Sequence, residues 1–594
     1  MLDWEVRRGS YQSSVTELYP ERSQEGFLKV VGCMEATSMA DILLRFDGIK
    51  GRPVRPNESV ERIWAGQKGE CWIYGMEGTF CLARDGEDTI ASIGYVSENE
   101  ASSVHEVLSQ TLSTFQESKI GELKKALLGQ YAILVKKGKR LYLFSDFMGS
   151  RNIFYLSDGT AVCSSFSQIE DLVQTSQRDL DTYKVLEFLA MRHVLYPTWL
   201  GRSTEHKKIK WLLPYEYISF SLEDAKLRVG SIVYSIDNEK QADCTQLSDD
   251  LVQILRTIVG RKEFRDCQVA ASLTGGRDSR LVAALAAEQY PNIRYRTAVS
   301  TMKYSSLRDY KIAQKLARVR SVPLDPYWFR PGRDEQRFHE LTEGFSPSYN
   351  SSIAPLIDSA GRYSIGLGGV FGTELFMPIP WPSVEDFIEA KIKRAMQALV
   401  MENGFWAGFR TSLHEQFQEI REHYQLSEAD DRDYIRLFGL LDTARYGSFI
   451  MAAFNRVGYQ LEPYGNYAVL NLALRVAPEL WGNHRTIEGD ALVQRGAMEK
   501  FDPQLARVLT YKNFRPMVAF SASSFLLYFV GYSRQIAHWA RERLVETKKV
   551  SRTLDFQSGC YYSDGWDQPF IDRSVQKYGL AVGTHAGSGG VARN

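Results

Sequence analysis

A chain of 594 residues has room for two to four folded units, and a content of 44% hydrophobic and 24% charged residues is that of globular proteins with large cores, which argues against disorder. Lysine plus arginine equals aspartate plus glutamate at 72 each, so no excess positive field exists to gather nucleic acid or an anionic membrane. The seven cysteines are scattered, odd in number and without a C-x-x-C pair, which argues against a disulfide framework or a zinc site and fits a reducing, cytoplasmic setting.

The first residues, MLDWEVRRGSYQSS, carry no apolar run behind their charges, so no signal peptide is expected. From about 25 to 230 short alternating or apolar runs are punctuated by glycine and aspartate. In YAILVKKGKRLYLFSD (131–146) the KKGKR stretch turns one strand into the next, and in NIFYLSDGTAVCSSF (152–166) SDG does the same. This half predicts β-hairpins.

After about 245 apolar residues recur three and four apart, as in LSDDLVQILRTIVGRK (247–262) and SLRDYKIAQKLARV (306–319). Between such helices lie CQVAASL (267–273) and RYRTAVS (294–300), short enough for parallel strands covered on both faces. The alternation predicts a doubly wound sheet of the α/β class. From about 385 to 550 nearly every stretch has helical spacing. MVAFSASSFLLYFVGY (517–532) is too short to span a membrane and carries serines, so it is expected to be a buried helix. The Gly-rich end, 575–594, is expected to fray.

The chemistry centres on VAASLTGGRDSRLVAALAAE (269–288). A buried strand ends near Leu273 and a helix begins at Asp278 or Ser279, with Leu281, Ala284, Leu285 and Ala287 facing inward. The turn therefore sits at the carboxyl end of a parallel strand, where α/β folds bind ligands. Gly275 and Gly276 permit a tight backbone with successive exposed N–H groups. The helix N-terminus adds about half a positive charge, so phosphate is the natural guest. Thr274 and Ser279 offer hydroxyls, and Asp278 beside an anion makes sense with Mg²⁺ between them. The stretch reads equally as a plain strand–turn–helix joint with an Asp or Ser cap. It lacks both G-x-G-x-x-G and the G-K-[ST] of a Walker loop.

T-G-G-R-D-S resembles the S-G-G-x-D-S pyrophosphate loop of the asparagine synthetase-like ATP-pyrophosphatase family, which includes β-lactam synthetases and lasso-peptide cyclases. Further landmarks follow in order. Residues 129–155, GQYAILVKKGKRLYLFSDFMGSRNIFY, are similar to a segment of the family's glutamine amidotransferase domain. CSSFSQIEDL (163–172) resembles its F-A-S-E element, and residues 186–220 resemble the stretch leading to L-P-P-G. After the loop, residues 296–317 resemble the next strand and helix, with Asp309 at the acidic place. GLGGVFGTELF (366–376) resembles G-E-G-x-D-E-L-F, GYQLEPYGNYAVLNLALRVAPEL (458–480) resembles R-x-P-F-L-D with its helix, and FDPQLARVLTYKNF (501–514) resembles the segment with the catalytic lysine.

The resemblance implies a degenerate Ntn-type α+β sandwich over 1–230, then a doubly wound ATP-pyrophosphatase domain over 245–560 with a helical C-terminal part. It implies ATP and Mg²⁺ as cofactors. Leu273, Thr274, Gly275, Gly276, Arg277, Asp278, Ser279 and Val299 would bind ATP and pyrophosphate, Asp278 and Glu374 would hold the metal, and Lys512 and Glu374 would be catalytic. The implied reaction is adenylation of a carboxylate followed by transfer to an amine, both of which are partners and can reside in one molecule or peptide.

Three departures qualify this expectation. The family's glutaminase cysteine follows the initiator methionine, whereas this chain begins Met1-Leu2. Unless a longer precursor is trimmed, no glutamine hydrolysis is expected, which leaves the sandwich to serve as a docking or homodimer surface. Cys33 reads as a small apolar packing residue. Val370 and Thr373 occupy two acidic places of G-E-G-x-D-E-L-F, leaving Glu374. Arg277 and Arg280 flank Asp278; Arg280 is expected to point to solvent, and Arg277 is placed to neutralise phosphate. An ammonia-dependent amidotransferase served by a separate glutaminase, and a degenerate binding or scaffold homologue, stand as alternatives. Sulfur insertion into tRNA is disfavoured by the unpaired cysteines and the absent basic excess.

Overall fold

The computed structural model describes residues 41–508 apart from 47–58, 67–68, 76–79, 99–102, 174–178, 262–263, 266, 301–303, 346–347, 400, 402, 456 and 482–490, together with 560–561 and 581–582. Leu2, Cys33, the 517–532 segment and, apart from 581–582, the Gly-rich end lie outside the described residues.

Twelve strands come first among these residues: β1 (Asp41–Phe46), β2 (Ser59–Gly66), β3 (Gly69–Gly75), β4 (Phe80–Asp85), β5 (Asp88–Ser97), β6 (Leu128–Lys137), β7 (Arg140–Ser145), β8 (Phe154–Leu156), β9 (Ala161–Cys163), β10 (Ile209–Trp211), β11 (Glu216–Ser221) and β12 (Lys226–Ser231). They form two antiparallel sheets, ordered β10-β8-β9-β1-β3-β2 and β12-β11-β7-β6-β5-β4. The expected hairpins are present: β6 turns into β7 through Gly138 at φ +55°, and β8 pairs with β9.

Two-residue alternation explains the layering. On β6, Ala132 and Leu134 pack with Ile42, Leu44 and Ile73 of the other sheet, while Ile133 and Val135 face outward against Val107, Leu108 and Leu112 of the helix Val104–Thr114. Across the other sheet, Leu43, Phe154 and Cys163 pack under Phe166, Ile169, Val185 and Leu186 from the helices Phe166–Leu172 and Thr182–Val194. The result is a four-layer sandwich with helices outside two sheets.

β13 (Tyr234–Ile236) leads out of the sandwich and pairs with the distant β18 (Tyr424–Leu426). A separate five-stranded sheet contains β14 (Val269–Ser272), β15 (Arg294–Val299), β16 (Leu324–Trp328), β17 (Ile365–Leu367) and β19 (Tyr459–Leu461), in the order β16-β15-β14-β17-β19 and all parallel. The chain moves outward from β14 to β16, then crosses back to place β17 on the other side of β14. Strand order therefore reverses between β14 and β17, the switch point at which such sheets open a crevice. Helices cover both faces: Ala298 and Tyr327 pack with Phe338, Leu356 and Phe454, and Val269, Ala271 and Leu367 join the larger core. The class is α/β, an antiparallel sandwich followed by a doubly wound parallel sheet with a large helical complement.

The helix Asp278–Gln289 departs from the single inward stripe read from its sequence. Every residue from Ser279 to Ala286 is buried, because the helices Cys244–Val259 and Leu492–Phe501 close over the sides that β14 leaves open. Sandwich and parallel sheet share this core: the Tyr95 ring lies 5.3 Å from Phe264 and 6.0 Å from Tyr459. Among the described residues no helix is long and apolar enough to cross a membrane.

Candidate functional site

A cleft of about 500 Å³ opens at the carboxyl ends of β14 and β17. Its floor is the turn after β14. The Thr274 N–H donates to Ser279 Oγ at 3.2 Å, the two hydroxyl oxygens lie 2.8 Å apart, and the Gly276 N–H donates to Thr274 Oγ1 at 3.2 Å. The Gly275 N–H donates to Asp309 Oδ1 at 3.1 Å, so this turn already holds an anion. Burial pushes the Asp309 carboxyl up to about 6, against the lowering effect of that N–H and of Arg308 and Arg280.

The turn after β17 lies against the first. A Cβ on Gly369 would come within 2.5 Å of the Ser279 nitrogen, and one on Gly372 within 2.8 Å of Asp278 Cγ. Only glycine permits this approach, which brings Thr373 Oγ1 to 2.6 Å from Asp278 Oδ2, to which it donates. Gln494 Nε2 donates to Asp278 Oδ1, also at 2.6 Å. Glu374 is half-buried and accepts from the Tyr196 hydroxyl at 3.0 Å. Burial first, and the nearby Asp278 charge in addition, hold its carboxyl above the usual range.

Of the residues expected from sequence, Thr274, Gly276, Asp278, Ser279 and Glu374 line the cleft. Leu273, Gly275 and Arg277 are buried in the same turn. Val299 closes β15, fully buried, with its carbonyl accepting from the Phe329 N–H; it lies outside the cleft lining. Lys512 lies outside the described residues. Arg280 corrects the expectation that it faces solvent. It is fully buried, Nη1 donating to the carbonyls of Leu505 at 3.0 Å and Val508 at 2.6 Å, and Nη2 to that of Gly275 at 3.3 Å. Three carbonyls compensate a buried guanidinium that burial lowers to about 9.

Several lining residues carried no sequence signal. Glu462, 1% exposed, accepts from the Val370 N–H and from Gln460 Nε2, both at 2.9 Å, and burial pushes it up to about 7. Gln130 of the sandwich brackets it, accepting from the Glu462 N–H at 2.8 Å and donating to its carbonyl at 3.4 Å. The long helix Asp431–Asn455 contributes Thr443, Tyr446, Ile450, Met451 and Phe454, and Tyr446 stacks on Tyr196 with centroids 4.7 Å apart. This helix is buried on nearly every side, so its apolar spacing reads only as core.

Among the described residues no group of three His, Cys, Asp or Glu side chains could hold a metal ion by itself. Asp278 and Glu374 nevertheless fit Mg²⁺, which takes one or two carboxylates and completes its shell with phosphate oxygens and water. Their mutual repulsion, felt at Glu374, is what a cation would relieve.

No family model and no curated protein sequence matches this chain. Among solved structures, glutamine phosphoribosylpyrophosphate amidotransferase from B. subtilis, complexed with ADP and GMP, is similar at 14% identity and a TM-score of 0.19. That likeness covers 46% of this chain and 62% of the amidotransferase, so the chain spans about three fifths of that protein's length. The U34-tRNA thiolase NcsA from Methanococcus maripaludis, with its [4Fe-4S] cluster, is similar at 13% identity and a TM-score of 0.19, covering 49% of this chain and 80% of the thiolase.

Proposed function

We propose that the chain is an ATP-dependent, AMP-forming ligase that adenylates a carboxylate and passes the acyl group to an amine, without glutaminase activity of its own. The observation that carries this reading is the Thr274–Ser279 turn, which includes Asp278, at the switch between β14 and β17, with Glu374 lining the same cleft. Two hydroxyls and the N-terminus of the helix Asp278–Gln289 lie together there, beside turn N–H groups that now donate to Ser279, Asp309 and Thr274, and that combination suits a polyanionic leaving group.

In this mechanism the turn holds the β- and γ-phosphates while Thr274 and Ser279 donate their hydroxyl protons. Asp278 and Glu374 would hold Mg²⁺, which supplies neutralisation of the charge accumulating on pyrophosphate. Gln494 and Thr373 fix the orientation of Asp278, and Tyr196 fixes that of Glu374. Lys512 would meet the α-phosphate and the oxyanion, as the resemblance to the ligase family implies. Each donor aimed at developing charge lowers the barrier by roughly 3–4 kcal/mol.

The test is mass spectrometry of purified protein incubated with ATP, Mg²⁺ and metabolite extract. AMP together with a product lighter by one water than acid plus amine supports ligation, and ADP as the spent nucleotide refutes it. A second reading, a nucleotide-binding scaffold, is favoured by Thr373, whose hydroxyl bonds Asp278 where the resemblance calls for a third carboxylate. Tight ATP binding with no AMP release would select it.

A further inference from the structure

A second cavity, of about 460 Å³, opens between the sandwich and the helix Asn403–His423, and none of its lining residues lines the cleft at β14 and β17. Lys184, Arg202 and Lys210 enter it from the sandwich, Lys210 on β10. Ser412, Glu415 and Glu419 enter it from the helix, where spacings of three and four put them on one face.

The cavity is framed by its own hydrogen bonds. Glu187, fully buried, accepts from Lys184 Nζ at 2.8 Å and from the Leu200 N–H at 2.9 Å. Gln416 accepts from the Gly201 N–H at 2.7 Å, and the Gly201 carbonyl accepts from Arg445 Nη2 at 2.8 Å. This frame also uses up most of the lining charges: Lys184 pairs with Glu187, Arg202 with Glu216, and Glu419 accepts from the Tyr215 hydroxyl at 2.8 Å.

Lys210 and Glu415 are left over. Among the described residues neither makes an ion pair or a side-chain hydrogen bond, with each other or with any other group. Glu415 is exposed, whereas Lys210 is only partly so. Burial first, with repulsion from Lys184 added, holds the Lys210 ammonium below its usual range despite the pull of Asp181. A half-buried ammonium without a counter-ion is a cost that an anion entering the cavity would relieve, and Glu415 asks for the opposite charge from a different element of the same lining.

We propose that this cavity is a binding site for a small zwitterion, its acid group on the Lys210 ammonium and its own ammonium on the Glu415 carboxylate. A singly charged molecule meets one of the two and leaves the other bare, and a neutral one meets neither, so the pair selects for both charges in one ligand. The proposal does not rest on the ligase reading of the cleft.

Calorimetry on the full chain at low ionic strength, without nucleotide, tests it with glycine, 4-aminobutyrate and 6-aminohexanoate as zwitterions of increasing span, and hexanoate and hexylammonium chloride as singly charged probes. At least one zwitterion is expected to bind roughly tenfold or more tightly than both singly charged probes. Lys210→Met and Glu415→Gln, both outside the core, are each expected to weaken that zwitterion about tenfold, with K210M also weakening hexanoate and E415Q hexylammonium. Asp278→Asn, in the cleft, is expected to leave binding unchanged. Absence of zwitterion binding, a singly charged probe that binds as tightly, or indifference to K210M or E415Q overturns the proposal, and so does loss of binding in D278N, which would place the probe in the cleft.

Discussion

Thr373 Oγ1 donates to Asp278 Oδ2 across 2.6 Å, so the residue standing where the resembling family has an aspartate acts as a neutral clamp on the carboxylate it would otherwise repel. Thr373→Asp would place two acids side by side. Without metal this variant is expected to lose about 1–2 kcal/mol of stability, the bond being replaced by like-charge repulsion. With Mg²⁺ the loss should be recovered, and the metal concentration giving half-maximal ATP binding should fall severalfold. Thermal melts with and without Mg²⁺, alongside a magnesium titration of nucleotide binding, check both. A variant indifferent to metal would remove Asp278 from the metal site.

Arg280 ties the Thr274–Ser279 turn to the segment that precedes Lys512 in sequence, through the carbonyls of Gly275, Leu505 and Val508. Arg280→Met would keep much of the side-chain volume and take this donor from the carbonyls of Gly275 and Val508, that of Leu505 still accepting from the Val508 N–H. A loss of about 3 kcal/mol is expected in urea denaturation. ATP affinity should fall by tenfold or more as the turn loses its anchor, while Arg280→Lys should recover only part, since one ammonium cannot reproduce the fork.

How far the site was legible in the sequence follows from where its parts lie along the chain. Thr274, Gly275, Gly276, Asp278 and Ser279 fall within six consecutive residues, and a glycine pair between a strand and a helix marks a tight turn, although its composition reads equally as an anion-accepting loop and as a plain capped joint. Gly369 and Gly372 were visible as glycines, but their reason was not: the backbone at Asp278 and Ser279, far upstream in the chain, presses on Gly369, and the Asp278 side chain presses on Gly372. Glu462, Tyr196 and Gln494 reach the cleft only because strand order reverses between β14 and β17 and the sandwich packs behind. An arginine beside a loop normally keeps its charge in water, so Arg280 looked solvated. Its burial depends on carbonyls at Leu505 and Val508, which no local pattern reveals.

Asp309 accepts from the Gly275 N–H and, on the proposed function, would compete with phosphate for the turn. With its carboxyl pushed up to about 6, it is charged at pH 7.5 and mostly neutral at pH 5. ATP binding is expected to tighten severalfold as pH falls through this range, as repulsion of the triphosphate disappears. Asp309→Asn should bind ATP more tightly than the unaltered chain at pH 7.5 and flatten this contribution. Calorimetric titration of both proteins between pH 5 and 8 decides the matter; weaker binding by D309N at pH 7.5 would show that Asp309 assists the nucleotide.

Asp442 lies on the long helix behind the cleft, 5% exposed, and accepts from the Tyr196 N–H at 3.2 Å. Burial pushes its carboxyl up to about 8, despite the lowering influence of Arg445, that N–H and Lys391. An acid with a raised folded value binds more protons folded than unfolded. Stability is therefore lost as pH climbs from the ordinary carboxylate range, near 4, toward 8, and levels off above. Asp442→Asn removes the titration while its amide oxygen can still accept from Tyr196. The variant is expected to match the unaltered protein near pH 4 and to exceed it by on the order of 2–4 kcal/mol at pH 8. Because Tyr196 also donates to Glu374, an Asn that keeps this tyrosine in place should leave ATP–pyrophosphate exchange nearly unchanged at pH 6. Denaturation curves across the pH range test the stability claim. A parallel pH profile for the two proteins would mean that Arg445 and Lys391 keep Asp442 charged throughout, and a collapse of exchange in D442N at pH 6 would mean that the Tyr196 contact requires the charge.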